Sequence, residues 1–299
     1  MTDEKLPIRI SHCLFATSHS ETENSMKNER KREIRRKAEF FREKCKVSRY
    51  GIIDIFKECE RCEYKLIRYP IGTEATLGFV KKKDKDIIIF TNTSVRLSRE
   101  IFTLAHEIGH ILLHIEQSKT FLDDTASILN TNTDDKEEEA NYFAVCLLMP
   151  EEEISKFLDL EIDDFNKNGL NSMDIARIMS EFNVSFEMTL NRLESLNKIS
   201  HLDRINLDIE RNKRSVGNLL KSVGGNSKLN EVSMIRSIPH EYIDYVIYNY
   251  NHNAIPKETL ERALVYYNLT YEDISDKIKI IEDTEDEEDI DDLIGGLSD

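Results

Sequence analysis

The sequence predicts an α+β fold, with a small antiparallel sheet ahead of a histidine-bearing helix and a mostly helical C-terminal region. Three observations point there. Short runs rich in β-formers, YKLIRY, TLGFVK and DIIIFT, are bunched between residues 64 and 91. The stretch TLAHEIGHILLH that follows is part of a segment apolar almost all round, as in a helix buried at a domain centre. Beyond it the apolar residues recur with the helical period.

Taken in order, residues 1–26 mix Ser, Thr, Glu and His without periodicity and read as a flexible arm. Lys27–Lys46 reads as a helix with Ile34, Ala38, Phe41 and Cys45 on one stripe and its basic residues on a solvated face. A second helix is expected near Tyr50–Glu60. Strands follow at Tyr64–Tyr69, Thr76–Lys81 and Asp86–Thr91, the last two as a hairpin with KDK at its tip. Ser98 is the expected N-cap of the histidine-bearing helix, with Glu100 in its first turn. A polar loop, Asp123–Asp135, leads to KEEEANYFAVCLLMP, a helix stopped by Pro150. The segment 172–196 reads helix–turn–helix about Asn183–Ser185. Cations are sparse on its second helix, so a pair completing the core is favoured over a DNA reader. Regularity weakens from Leu202 to Ile235, with a break at Gly224–Gly225, and more helices are expected over 238–281. The domains expected are therefore 27–200 and a helical region 201–281, followed by an acidic disordered tail, 282–299.

Bulk composition narrows the function. The net charge is −16, so the surface is not globally basic and direct nucleic-acid binding is not expected. No apolar run approaches the ~20 residues that span a bilayer, so no membrane partner is expected. The five cysteines form no framework, which suits a reducing cytoplasm. Cys59 and Cys62 make a lone CxxC without the second pair that a zinc ribbon needs.

The chemistry sits in HEIGH. His106 and His110 are four apart, so a helix presents both imidazoles on one face, where they suit a divalent cation such as zinc. In an H-E-x-x-H pattern the carboxylate, here Glu107, takes a proton from water that the cation has acidified. A third ligand is needed. His114, one turn further, drifts about 80° from His106 and reads as a packed or capping residue. On the later helix, with Ala140 on the core stripe, Glu137 falls about 60° away, Glu138 about 160° and Glu139 about −100°, leaving Glu137 as the one near the buried face. Asn141 shares its edge and offers an acceptor to the outer N–H of a ligating histidine. Tyr142, His114 and His201 stay open as donors to an oxyanion, and the strand Ile87–Phe90 as one that an extended substrate could pair with.

At LGFV…DIIIFTN, LAHEIGHILLH and EEEANYFAVCLLMP the sequence resembles the ImmA/IrrE family of metallopeptidases, over roughly residues 30–200. The resemblance implies a zincin-like core over 27–200 and a gluzincin-like zinc endopeptidase. His106, His110 and Glu137 would be the ligands and Glu107 the base. It also implies a protein substrate, a DNA-binding repressor cut once, here a separate polypeptide. The contrasting expectation is a non-catalytic zinc-fold module that sequesters a regulator. An intact Glu107 favours the enzyme, since a pure binder has no chemical need of that carboxylate.

Overall fold

The computed structural model describes residues 26–83, 85–115, 133–162, 165 and 169–278. Residues 1–25, most of the Asp123–Asp135 loop and the tail 282–299 lie outside them. No helix among the described residues is long and apolar enough to cross a membrane. The chain divides into two compact units at Ile238/Pro239.

In the first unit, helix α1 (Asn28–Glu43) buries Ile34, Ala38 and Phe41, the stripe its spacing lays out. Helix α2 (Ile55–Arg61) starts later than Tyr50 because the Asp54 side chain caps it, accepting from the Phe56 and Lys57 amides. Before it, Val47 bridges Ile52 in a tight turn. Strands β1 (Lys65–Tyr69), β2 (Gly78–Lys83) and β3 (Asp86–Asn92) form a sheet of order β1-β3-β2.

The sheet is mixed rather than antiparallel. β2 and β3 form the expected hairpin, but β1 runs parallel to β3. The chain must therefore cross the end of β3 between β1 and β2. Buried Asn92, the last residue of β3, holds that crossing: its amide donates to the Gly72 and Thr76 carbonyls at 2.7 and 3.1 Å, and its Oδ1 accepts from Ile71 N at 3.3 Å. A side chain that satisfies a loop this way is invisible to periodicity.

Helix α3 (Leu97–His110) continues as a π-helical turn, Ile111–Ile115. Its N-cap is Arg96, not Ser98, which lies buried inside the first turn. The Leu97 amide is instead taken by the Glu231 carbonyl at 2.9 Å. Glu100 is fully buried and accepts both Arg68 Nε (2.8 Å) and Thr91 Oγ1 (3.0 Å). This clamps β1, β3 and α3 together.

Helices α4 (Thr133–Leu148) and α5 (Glu151–Glu161) meet at Pro150. Helices α6 (Ser172–Phe182) and α7 (Phe186–Ser195) flank a left-handed Asn183. Both helices of this pair bury their apolar faces in the same core, Ile178, Phe182, Leu190 and Leu193 among them. Helices α8 (His201–Lys213) and α9 (Val216–Ser222) follow where the pattern is weak. α8 buries Leu207 alone and is held at its start by a Ser200/Asp203 capping box.

The compact unit extends past the expected boundary at residue 200. Leu207, Leu219, Leu220 and Leu229 belong to the main core. The strap after Leu229 bonds the sheet end: Arg68 and Ser237 exchange backbone hydrogen bonds of 2.8 Å, and Met234 N donates to Thr93 O at 2.8 Å. The second unit has α10 (Tyr242–Asn251) and α11 (Lys257–Tyr267) around Val246, Ile247, Leu260, Leu264 and Ile274.

Candidate metal centre

The centre is built where α3 and α4 come closest. Ile101, Leu104, Ala105 and Ile108 bury α3, leaving His106 and His110 half-buried at its edge. Gly109 governs the approach of α4. A Cβ there would stand 3.2 Å from both the Cα and the carbonyl oxygen of Ala140, so any side chain would push the helices apart. Glu137 lies one turn before Ala140, and the close crossing brings it across to the histidines.

Three side chains converge. His106 Nε2 is 3.0 Å from His110 Nε2, and the Glu137 carboxylate oxygens are 3.2 and 3.3 Å from these two nitrogens. His106, His110 and Glu137 thus form a group able to hold a metal ion. A tetrahedral zinc with bonds of 2.0–2.1 Å sets its ligand atoms about 3.3 Å apart, so the spacing fits. The tautomers fit as well. His106 Nδ1 lies 2.9 Å from Asn141 Oδ1 and donates its proton there, leaving Nε2 as a lone pair aimed at the shared point.

The electrostatics ask for positive charge at that point. His106 and His110 hold the Glu137 carboxyl far below the usual carboxylate range. Burial opposes a charged His106, yet Glu137 and Glu107 outweigh it and raise its pKa. Glu107 is buried, and that burial pushes its pKa up while both imidazoles pull it back. It stands beside the start of β2, where a Cβ on Gly78 would meet its Oε1 at 3.1 Å.

His114 does more than pack or cap. Its Nδ1 is 3.0 Å from His110 Nδ1 and its Nε2 is 3.1 Å from Glu139 Oε2. Glu139, placed by helical phase on a solvated flank, is instead largely covered and gripped by Arg30 Nε of α1 at 2.7 Å. Burial keeps His114 neutral, its pKa held down at about 4. Lys37 of α1 donates to the Leu112 carbonyl in the π-helical turn at 2.7 Å. Sequence reasoning missed His114, Glu139 and Arg30, because their contacts depend on the change of helical pitch and on a helix over 100 residues away.

Other expectations are redirected. Tyr142 faces α1, its hydroxyl 3.3 Å from Arg35 Nη2, about 140° round α4 from Glu137. His201 is exposed on α8 and paired with Glu194 at 2.7 Å. Both side chains thus have partners outside the group formed by His106, His110 and Glu137. β3 is paired on both sides and has no edge for a substrate, whereas β2 pairs on one side only among the described residues. Cys59 is buried in the core and Cys62 ends α2.

Comparison with known proteins agrees with this geometry. Residues 59–194 match the family Peptidase_M78, described as the IrrE N-terminal-like domain. An "Uncharacterized immunity region protein 2" of Bacillus phage phi105 is 31% identical over 90 residues, covering 29% of this chain. The chain spans about half of that relative's length, 55%.

Proposed function

From the match of residues 59–194 to the IrrE N-terminal-like domain, we propose that the chain is a zinc-dependent endopeptidase of the ImmA/IrrE kind. In this reading it cuts one bond of a DNA-binding transcriptional repressor in the cytoplasm. The observation that carries the reading is the convergence of two imidazole nitrogens and a carboxylate within 3.3 Å, with a buried Glu107 directly after the first histidine.

Zinc held by His106, His110 and Glu137 would polarise the scissile carbonyl and acidify water. The chain's own residues supply the rest. Glu107, buried beside the ligating histidines, takes the water's proton and returns it to the leaving nitrogen. Asn141 keeps His106 in the tautomer whose Nε2 faces the centre. The substrate has an orienting edge in β2: Gly78 abuts Glu107, so a peptide paired along that strand is led past the carboxylate. Cys45, Cys59, Cys62 and Cys146 form no disulfide among the described residues, which suits a reducing cytoplasm. Support for a repressor substrate comes from the relative, whose name places it in a phage immunity region.

The test is direct. Zinc-loaded protein is incubated with the repressor encoded beside its gene, with chelated protein and Glu107→Gln as controls. A single cut, seen with the parent alone, is expected. Cleavage that persists in Glu107→Gln or without metal would overturn the mechanism, and a repressor left whole by the loaded parent would overturn the substrate.

A further inference from the structure

We propose that His114, Glu139 and Arg30 form a directed hydrogen-bond relay that fixes the tautomer and ring orientation of His110, and so sets the affinity of the centre for its metal. The inference rests on the metal-centre reading of His106, His110 and Glu137. None of the three relay residues touches the converging atoms themselves, so they are positioning residues.

The direction of the relay follows from counting protons. His110 Nε2 faces His106 and Glu137, so it must offer a lone pair to a cation. Its proton then sits on Nδ1, 3.0 Å from His114 Nδ1, and two ring nitrogens at that distance need one proton between them. His114 Nδ1 is therefore the acceptor. The His114 proton moves to Nε2, 3.1 Å from Glu139 Oε2, where a carboxylate can only accept. Arg30, which can only donate, closes the chain on Glu139 through Nε at 2.7 Å. Each link admits one polarity, and the whole runs from the metal ligand to a fixed cation on α1.

The two histidines are thus backed unequally. His106 leans on a neutral amide, Asn141, whereas His110 leans on an imidazole tied to an ion pair. A ligating imidazole whose outer N–H points at a chain ending in a carboxylate is the more basic and the more firmly aimed. The π-helical turn Ile111–Ile115 is the local device, since the wider turn re-aims His114 relative to a continued α-helix. A histidine that merely filled space would require neither a charged partner nor a defined tautomer.

The test uses full-length protein and zinc alone. Long-range proton–nitrogen NMR of the zinc-loaded protein reads the tautomers; His114 is expected as Nε2–H and His110 as Nδ1–H. Zinc affinity is measured against a competing chelator in His114→Phe, His114→Gln, Glu139→Gln and Arg30→Met, each checked for folding by circular dichroism. His114→Phe should bind zinc about 10–100-fold more weakly. His114→Gln, whose amide can accept from His110 and donate to Glu139, should recover most of that loss. Glu139→Gln and Arg30→Met should fall between. A His114 found as the Nδ1–H tautomer, or a folded His114→Phe that binds zinc as tightly as the parent, overturns the relay and leaves the metal centre standing. A parent that takes up no zinc, or keeps it after His110→Ala, overturns the centre itself.

Discussion

Gly109 faces Ala140 across the α3–α4 crossing so closely that a Cβ would come within 3.2 Å of the Ala140 Cα and carbonyl oxygen. That contact sets how far Glu137 reaches. Gly109→Ala should keep the fold, because a few tenths of an ångström can be absorbed, but should weaken zinc binding several-fold. Gly109→Val should lower stability as well, by about 1–3 kcal/mol, as over-packing does. Thermal melts and zinc titration separate the two effects. Unchanged zinc affinity in Gly109→Val would mean that the crossing distance does not govern the centre.

Removal of the metal should be felt as lost stability. A ligand at 100 times its dissociation constant stabilises the native state by about 2.7 kcal/mol. Chelator should therefore lower the melting point of the parent and leave those of His106→Ala and Glu137→Ala where they already are. A chelator shift that survives in Glu137→Ala would assign the third ligand elsewhere.

Glu107→Gln separates chemistry from binding. The side chain stands among the ligands without being one of them, so zinc content should stay at the parental level. Cleavage should fall by a factor of about 10²–10⁴ or more, the usual contribution of a positioned base. Burial raises the Glu107 pKa in the metal-free protein, and a bound cation favours its carboxylate, so zinc should shift the Glu107 titration to lower pH. A Glu107 titration that zinc leaves unmoved, read by carboxyl-carbon NMR, would place the cation away from this carboxylate.

The Arg68–Glu100 pair should behave as a buried ion pair. Glu100 is 0% exposed and Arg68 12%, and Arg68 also lies over the Phe56 ring at 3.5 Å. Arg68→Met strands a buried carboxylate and should cost about 3–5 kcal/mol in denaturant unfolding. The double variant Arg68→Met, Glu100→Leu should recover much of that loss. Equal losses in single and double variants would show that packing, not charge, is what Arg68 provides.

Cys45 and Cys59 should be inert at neutral pH. Burial pushes Cys45 up to about 12 and raises Cys59 well above the ordinary thiol value. Only the thiolate attacks, so the alkylation rate of Cys45 should climb about tenfold per pH unit and still be rising at pH 10. Rapid labelling of Cys45 or Cys59 at pH 7, read by peptide mass spectrometry, would contradict this.

The convergence of His106, His110 and Glu137 was legible because each half of it is local. The spacing of HEIGH fixes one face of α3, and the phase of Glu137 against Ala140 fixes one face of α4. The rest depends on contacts between distant segments. Nothing in YKLIRY says that β1 will run parallel to β3, since that depends on the Asn92 side chain holding the crossing. Ser98 has the composition of a cap, but the Glu231 carbonyl takes the Leu97 amide. Glu139 looks solvated in helical phase and His114 merely packed, whereas the π-helical turn brings them together and Arg30 of α1 closes on Glu139.

The strap that joins Ser237 to Arg68, together with α1, has a practical corollary for anyone excising this protein's recognisable stretch. Cutting at residues 59 and 194 would strip away Ile34, Ala38 and Phe41 on one side and Leu207, Leu219 and Leu229 on the other, exposing raw hydrophobic surface on both flanks. A piece that keeps this core whole has to retain α1 and run on to about Ile238, because the core reaches well beyond the portion that carries the signature.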